Sequence, residues 1–406
     1  MRLFQHTFLK VVKARKILYP LSVSEIKISV PSLAKLQSRW SEKWRAFEPE
    51  ILPMPFAVMD YELAEPIKRT LISLVENSDA GYLGKIPELP EGLAHFAKAR
   101  WGWNIDPNQV KIAPDVGVGV IEIARLVTKP GDKILINTPV YYNFYNWITE
   151  LHCTLVDAPL KENNLRYELD FAAIEASYAT GVKVHILCNP HNPVGALFEK
   201  AELAQLAELA KKYEVLIASD EIHAPLVYQE NTFTPFLSAS QTAREVGIAF
   251  LSATKAFNIA GLKCAQIVAQ SDQMLKITER LPLAVHSRAS LFGAVASSVA
   301  YKECGPWLDA VIVELDSSRK YLRELIDKTK LKIKYREPDA SYFGWLDLRE
   351  LNLGGDIANR FISEGKIAVA PGNYYGPSGS GFIRINFATS RELIAEAVKR
   401  ITKTVT

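Results

Sequence analysis

The stretch Ser252-Ala253-Thr254-Lys255-Ala256-Phe257-Asn258 places a lysine just after an apolar run. A lysine amine attacks a carbonyl group only after losing its proton, and burial among apolar or cationic neighbours favours that loss. Ser252 and Thr254 are small hydroxyl residues, and hydroxyls beside a buried cation suggest a bound phosphate. Lys263, a little further on, could supply a second positive charge to that phosphate. Taken alone, Lys255 is more often a solvated surface lysine, so the neighbouring motifs must decide.

Apolar runs alternate with helical patterns over much of the chain. The runs are Lys133–Asn137, Val184–Cys188, Val215–Ser219, Ile248–Ser252 and Cys264–Ala269. This alternation predicts an α/β fold with a mostly parallel sheet covered on both faces, whose functional groups gather at the carboxyl ends of the strands. From about residue 288 a long amphipathic helix, two strand-like runs and a closing helix predict a second, smaller α+β domain.

Composition limits the classes of partner. The chain has 406 residues and a formal net charge of +3, which gives no electrostatic reason to expect nucleic acid. No apolar run reaches the roughly 18–20 residues that span a bilayer, so we expect no membrane insertion. The four cysteines form no CxxC pair and suggest neither a metal site nor a disulfide framework. Reduced thiols in a cytoplasmic protein are therefore expected.

Residues 1–28 are treated as an N-terminal extension of uncertain status. Residues 1–19 carry several basic side chains and no acid, and Lys10 and Lys13 interrupt the apolar segment that a secretory signal needs. An organelle-targeting segment and a start codon placed too far upstream both remain open, so these residues are set aside from the fold.

Three motifs follow predicted strand ends. Asp220 ends one run, and a buried carboxylate there needs a cationic partner such as a protonated ring nitrogen, although a helix-capping role is also open. The stiff loop Asn189–Gly195 carries Asn192, whose amide could donate to a ring oxygen, or the loop could simply connect a strand to a helix. Tyr141 could stack on a planar ring, with core packing as the alternative.

Two further motifs suggest anion binding. Asp115 could cap the helical stretch Val118–Leu126, and the free backbone N–H groups of Val116 and Gly117 could then cradle a phosphate. Arg384 alternates with apolar neighbours in a strand-like run, where a guanidinium suits a substrate carboxylate or a structural salt bridge.

Together these residues resemble the aspartate-aminotransferase fold family, the fold type I enzymes that use pyridoxal 5′-phosphate (PLP). The order Tyr141, Asn192, Asp220, Lys255, Arg384 matches over residues 50–400. The resemblance implies a seven-stranded sheet, a covalent bond from Lys255 to the cofactor, and pairing of Asp220 with the pyridine nitrogen. It also implies that Arg384 grips the substrate α-carboxylate. Family members are usually homodimers, and the tyrosine that crosses the interface to the phosphate matches Tyr82.

Within that family the chain is most similar to the MalY/PatB-type cystathionine β-lyases. The closer match lies in Arg39–Trp44, Ala57–Tyr61, Ser219–His223 and Val369–Gly372. His223 stands where many aminotransferases have a tyrosine that holds the ring oxygen. Lys263 replaces their phosphate-binding arginine, which keeps the charge but loses the bidentate fork.

The resemblance implies a carbon–sulfur β-lyase that cleaves L-cystathionine or related cysteine S-conjugates to a thiol, pyruvate and ammonia. A class I/II aminotransferase would use the same residues and is the alternative, and a regulatory role as the partner of a transcription activator is a second one. We expect a PLP-binding domain over residues 56–287 and a small domain formed by residues 29–55 and 288–406.

Overall fold

The computed structural model describes residues 26–354 and 356–406. Most of the predicted N-terminal extension therefore lies outside the described residues. Among the described residues, no helix is both long and apolar enough to cross a membrane.

The described residues form sixteen α-helices and fifteen strands. The helices are α1 (Leu33–Gln37), α2 (Glu42–Arg45), α3 (Glu65–Glu76), α4 (Glu88–Trp101), α5 (Val116–Val127), α6 (Asn143–Glu150), α7 (Phe171–Tyr178), α8 (Lys200–Lys212), α9 (Phe236–Ala239), α10 (Gln241–Val246), α11 (Asp272–Thr278), α12 (Leu283–Ser287), α13 (Leu291–Glu303), α14 (Gly305–Thr329), α15 (Ile357–Ser363) and α16 (Arg391–Val405). The strands are β1 (Leu52–Pro53), β2 (Val110–Ala113), β3 (Lys133–Ile136), β4 (Thr154–Asp157), β5 (Lys161–Asn163), β6 (Arg166–Glu168), β7 (Val182–Cys188), β8 (Leu216–Asp220), β9 (Gly247–Leu251), β10 (Ala265–Val268), β11 (Lys334–Tyr335), β12 (Phe343–Asp347), β13 (Ile367–Ala368), β14 (Ala370–Pro371) and β15 (Phe382–Asn386).

The main sheet has seven strands in the order β2-β10-β9-β8-β7-β3-β4. The pairs from β9 through β8, β7 and β3 to β4 are parallel, whereas β10 is antiparallel to both β9 and β2. The predicted α/β class with a mostly parallel seven-stranded sheet is therefore confirmed.

Both faces of this sheet are covered, because successive side chains of its strands enter two separate hydrophobic clusters. In β3, Ile134 and Ile136 belong to one cluster and Leu135 to the other. In β7, Ile186 and Leu187 divide in the same way. Such strands are apolar along their whole length, which is why their sequences show continuous rather than alternating hydrophobicity.

A second sheet is built from the C-terminal part of the chain. It has the order β11-β12-β15-β14 and is antiparallel throughout. The short strand β1, from before the main sheet, pairs with β13 and brings the N-terminal segment to this part of the molecule. The residue limits given above for the two domains stay a prediction.

Candidate active site

The carboxyl ends of the central strands meet at a cavity of about 280 Å³. Asp220 ends β8, Asn192 and Tyr141 lie in the loops after β7 and β3, and Lys255 follows β9. Nine of the twelve residues predicted to bind the cofactor or the substrate line this cavity, and Ser252, Tyr82 and Arg384 do not: the nine are Val116, Gly117, Tyr141, Asn192, Asp220, His223, Thr254, Lys255 and Lys263. Parallel strands bring these distant positions together because their carboxyl ends share one edge.

A larger hollow of about 460 Å³ lies between α15 and the loop after β14. Its described lining contains the carboxylate of Asp356 but no lysine, arginine or histidine. The smaller cavity is the better candidate, since it combines an amine, a buried carboxylate and a helix N-terminus.

Lys255 lies in the wall of the cavity. Part of its side chain faces the open space, while the amine donates a hydrogen bond to the Ala57 carbonyl at 3.1 Å. Burial lowers the pKa of Lys255 to about 8, helped by the positive charges of Arg384 and Lys263. A substantial fraction of this amine is therefore neutral near physiological pH, as nucleophilic attack requires.

Asp220 is a buried carboxylate without a cation in hydrogen-bond contact among the described residues. The only hydrogen bond to its carboxylate from the described residues comes from the backbone N–H of Ile222, at 3.1 Å. Burial raises the pKa of Asp220 to about 7, against the opposing charge of Lys255. A cationic N–H placed beside this carboxylate would remove that desolvation cost.

Asn192 and Arg384 are joined by a hydrogen bond. The Arg384 guanidinium donates to the Asn192 Oδ1 at 2.9 Å and also to the Pro55 carbonyl. Because Oδ1 accepts from the guanidinium, the amide nitrogen of Asn192 is left as a donor for the cavity. The guanidinium carbon lies 3.9 Å from the ring centroid of Phe343, and its buried Nε has no partner among the described residues.

His191 links the loop of Asn192 to the strand end that carries Tyr141. Its Nε2 lies 2.8 Å from the Pro139 carbonyl, and its Nδ1 lies 3.1 Å from the Cys188 carbonyl. Burial lowers the pKa of His191 to about 4, so the ring is neutral and donates to only one of these carbonyls. The shorter contact, to Pro139, is the better candidate for that bond.

Tyr141 lies in an aromatic wall that the sequence left ambiguous between stacking and core packing. Asn143 donates to its hydroxyl oxygen at 2.6 Å, and burial raises the pKa of Tyr141 well above its usual value. Trp147, on α6, lines the same cavity and packs against Gly117, where an added Cβ would lie 2.8 Å from the indole ring. Sequence reasoning missed Asn143 and Trp147, although their spacing places both on one face of α6.

The N-terminus of α5 forms another wall. Asp115 caps it by accepting from the Val118 N–H at 2.8 Å, as the sequence predicted. The N–H groups of Val116 and Gly117 have no recorded partner among the described residues, and both residues line the cavity. Together with the helix dipole they make this wall suitable for an anion.

The three basic or hydroxyl residues expected beside a phosphate differ in placement. Thr254 and Lys263 line the cavity, although Lys263 forms a 3.2 Å ion pair with Asp115 on the exposed side. Ser252 is not among the lining residues. Its hydroxyl donates to the Cys264 carbonyl at 2.7 Å and lies 2.8 Å from the Thr254 hydroxyl, so it orients Thr254 instead of facing the cavity itself.

The last two predicted positions lie at opposite extremes of exposure. His223 is buried against Tyr342 and Phe343, and burial together with Lys255 and Arg384 lowers its pKa to about 3, so its ring is neutral. Tyr82 is 96% exposed and does not line the cavity of its own chain. Any contact from Tyr82 to such a site would have to come from a second copy.

Comparison with known proteins places this site in a family. The family described as aminotransferase class I and II matches residues 61–401. The chain is 35% identical to a putative cystathionine beta-lyase of Mycobacterium leprae, over 91% of this chain and 96% of that protein. It is 30% identical to the cystathionine beta-lyase PatB of Bacillus subtilis, over 87% and 92%. A PLP-bound putative aminotransferase from Clostridium difficile has a TM-score of 0.88 at 30% identity, with 93% and 99% covered. The chain therefore belongs to the aminotransferase class I and II family, the PLP-dependent enzymes of fold type I.

Proposed function

We propose that this protein is a PLP-dependent carbon–sulfur β-lyase, which converts L-cystathionine or a related cysteine S-conjugate and water into a thiol, pyruvate and ammonia. The observation that carries the proposal is that Lys255 and the buried carboxylate of Asp220 line one cavity, with pKa values moved to about 8 and about 7. The names of the mycobacterial and Bacillus relatives favour a lyase among the reactions that this pair supports.

The residues present fit the cofactor. Asp220 lacks a cation among the described residues, and a protonated pyridine nitrogen would supply one. Lys255 would bind the aldehyde carbon covalently, and the free amide nitrogen of Asn192 would donate to the ring oxygen. Tyr141 would cover one ring face, with His223 nearby as a neutral side chain.

The phosphate would lie at the N-terminus of α5. The N–H groups of Val116 and Gly117 and the Lys263 ammonium are the donors available in that wall. Thr254 donates its one hydroxyl proton to Ser252, whose own proton goes to the Cys264 carbonyl, so the Thr254 hydroxyl would have to turn away from Ser252 to donate to the phosphate. Lys263 is a weaker phosphate ligand than an arginine at the same place, because it donates from one point and is already paired with Asp115.

Bound PLP supplies a conjugated cationic ring that stabilises negative charge at the substrate Cα. Arg384 would bind the substrate α-carboxylate through its two terminal nitrogens and so fix the orientation of the Cα–H bond. Neutral Lys255 would remove the Cα proton, and as an ammonium it could return that proton to the departing sulfur. Asp220, as a carboxylate, would keep the ring nitrogen protonated throughout.

Lyase and aminotransferase reactions diverge after the Cα proton is removed. In the lyase the Cβ–S bond would break and Lys255 would return its proton to the departing sulfur, whereas in an aminotransferase Lys255 would not protonate sulfur, the substrate amino group would be retained and a keto acid would leave. The test is incubation of the holoenzyme with cystathionine and no keto acid acceptor. Continuous pyruvate release over many turnovers supports the lyase, and a single turnover that stops until a keto acid is added overturns it.

The assembly and location are part of the same proposal. We infer a homodimer in which Tyr82 of each subunit reaches the phosphate bound by the other, since Tyr82 is almost fully exposed in one chain. A cytoplasmic enzyme is supported by the four cysteines, all of which are free. The PLP-binding domain would span residues 56–287, and the small domain residues 29–55 and 288–406.

A further inference from the structure

The segment Pro55–Tyr61, here called the strap, runs without regular secondary structure past the active-site lysine. Irregular backbone must find hydrogen-bond partners outside helices and sheets, and here side chains provide them. Every carbonyl of the strap accepts from a side chain elsewhere in the chain. The donors are Arg384 to Pro55, Asn386 to Phe56 and Val58, Lys255 and Tyr342 to Ala57, Lys43 to Val58, Asn258 to Met59 and Tyr61, and Arg39 to Asp60.

The centre of the strap faces the reactive amine. The Ala57 carbonyl accepts from the Lys255 amine and from the Tyr342 hydroxyl, each at 3.1 Å. An ammonium or amine has rotatable donors on a flexible stem, so a fixed acceptor determines where its nitrogen points. Four charged groups also influence the pKa of Lys255: Arg384 and Lys263 lower it, and Asp220 and Asp115 raise it.

The far end of the strap is fixed by a buried ion pair. The Asp60 carboxylate accepts from the Lys43 ammonium at 2.8 Å and from the Trp44 indole N–H at 3.0 Å, and both charged side chains are only 1% exposed. Arg39 is the remaining nearby charge, 3.9 Å from the same carboxylate. Such a pair costs desolvation and contributes little net stability, but separating its two members would leave buried charges unpaired, which is strongly unfavourable. The pair joins α2 to the strap. It thereby gives a structural reason for the motifs Arg39–Trp44 and Ala57–Tyr61, to which the proposed chemistry gives no role.

We propose that the strap fixes the Ala57 carbonyl as the acceptor that orients the Lys255 amine whenever that amine is not bound to the cofactor. Asp60, held by Lys43 and Trp44, is the positioning residue that sets the place of the strap. This inference rests on the proposed role of Lys255 as the base. It assigns the N-terminal helix α2 a function in proton transfer although α2 does not line the cavity.

The test uses two strap variants. Lys43→Met combined with Asp60→Asn removes the ion pair without leaving a lone buried charge, and Trp44→Phe removes one bond only. Asp347→Asn is the matched control, because Asp347 is also buried and held by a guanidinium, that of Arg349, but does not touch the strap.

The first measurement is independent of turnover. In the full-length chain freed of cofactor, labelling of Lys255 by acetic anhydride is followed against pH by peptide mass spectrometry. Loss of a well-placed acceptor destabilises the ammonium form, so the apparent pKa of Lys255 falls by about half a unit in the double variant and less in Trp44→Phe. Hydrogen exchange at Met59, whose N–H donates to Asn258, accelerates by about tenfold. The control changes neither quantity.

The second measurement is turnover by the holoenzyme. We expect kcat to fall by about tenfold with KM nearly constant, and the acidic limb of the kcat–pH profile to move to lower pH. Folded strap variants with the wild-type Lys255 titration and the wild-type kcat overturn the inference, and if the double variant does not fold, Trp44→Phe decides by the same criteria. If the wild-type enzyme fails the pyruvate test but the strap variants still show the shift in the Lys255 labelling, the lyase proposal is refuted and the inference about the strap stands.

Discussion

Glu221 follows Asp220 in the chain and is fully buried, and its replacement by glutamine tests the electrostatics of the site. The Ser219 hydroxyl and the Phe236 N–H donate to its Oε1 at 2.9 and 2.8 Å, while its Oε2 has no partner among the described residues. Burial, reinforced by the neighbouring charge of Asp220, raises the pKa of Glu221 from 4.5 to about 8. The folded protein therefore holds a proton here that the unfolded chain releases.

The sign and size of the effect follow from proton linkage. Between pH 4.5 and about 8 the folded state binds more protons at Glu221 than the unfolded state, so this group lowers the free energy of unfolding as the pH rises. The slope approaches about 1.4 kcal/mol per pH unit, which amounts to about 3 kcal/mol between pH 5 and pH 8. Glu221→Gln cannot titrate, so its stability relative to the wild type should rise by that amount over the same interval.

Urea titrations of both holoenzymes at several pH values measure this difference. Ser219→Ala is the matched control, since it removes a hydrogen bond to Glu221 but keeps the titrating carboxyl. The stability of the control should depend on pH as that of the wild type does, or should fall over a wider pH range, because the lost hydrogen bond holds the pKa of Glu221 down. A Glu221→Gln variant offset from the wild type by a constant amount from pH 5 to pH 8 would refute the reasoning.

Three other predictions test the cofactor and substrate sites. In the cofactor-free chain, the rate constant for covalent capture of PLP, followed by stopped-flow absorbance, should rise with pH around a midpoint of about 8, because only the neutral Lys255 amine attacks. Lys255→Ala should show no capture. A rate constant that is flat between pH 7 and pH 9 would contradict this expectation. Gly117→Ala should weaken PLP binding by about tenfold in a fluorescence titration, since the new Cβ at the N-terminus of α5 would push against the Trp147 indole and disturb the wall proposed for the phosphate. Unchanged affinity would show that the indole moves freely. Arg384→Lys should raise the KM in a steady-state assay by about tenfold or more, because lysine lacks the bidentate fork and leaves the Asn192 oxygen without its donor. An unchanged KM counts against binding of the substrate carboxylate by Arg384.

The central strands could be predicted from sequence because burial on both faces makes them uniformly apolar. The run predicted at Val184–Cys188 is the strand Val182–Cys188, and the one at Ile248–Ser252 is Gly247–Leu251. The edge strand Thr154–Asp157 was missed, because three of its four residues are exposed and its sequence lacks that apolar signal. β2 was missed as well, since Lys111 lies inside the strand and interrupts its apolar residues.

The site divides in a similar way. Lys255, Asp220 and Tyr141 could be placed because each follows a recognisable strand, and parallel strands gather their carboxyl ends. The contact between Lys255 and Ala57 joins positions 198 residues apart, and no local pattern predicts it. The orienting role of Ser252 also depends on a tertiary contact, the carbonyl of Cys264, so the sequence alone suggested direct phosphate binding.

The two groups at the centre of the site share one physical cause. Burial moves the pKa of the Lys255 amine down to about 8 and that of the Asp220 carboxyl up to about 7, so each is displaced toward its neutral form. A pair of opposite charges in direct contact would be shifted the other way, toward both charged forms. Among the described residues the Lys255 amine contacts the Ala57 carbonyl and the Asp220 carboxylate contacts the Ile222 N–H, so no direct ion pair between them offsets the cost of removing each from water. If PLP binds here as proposed, its aldehyde would take the neutral amine and its basic nitrogen would face the carboxylate, so its binding would relieve both costs at once, and the same lowered pKa would suit Lys255 to act as the base.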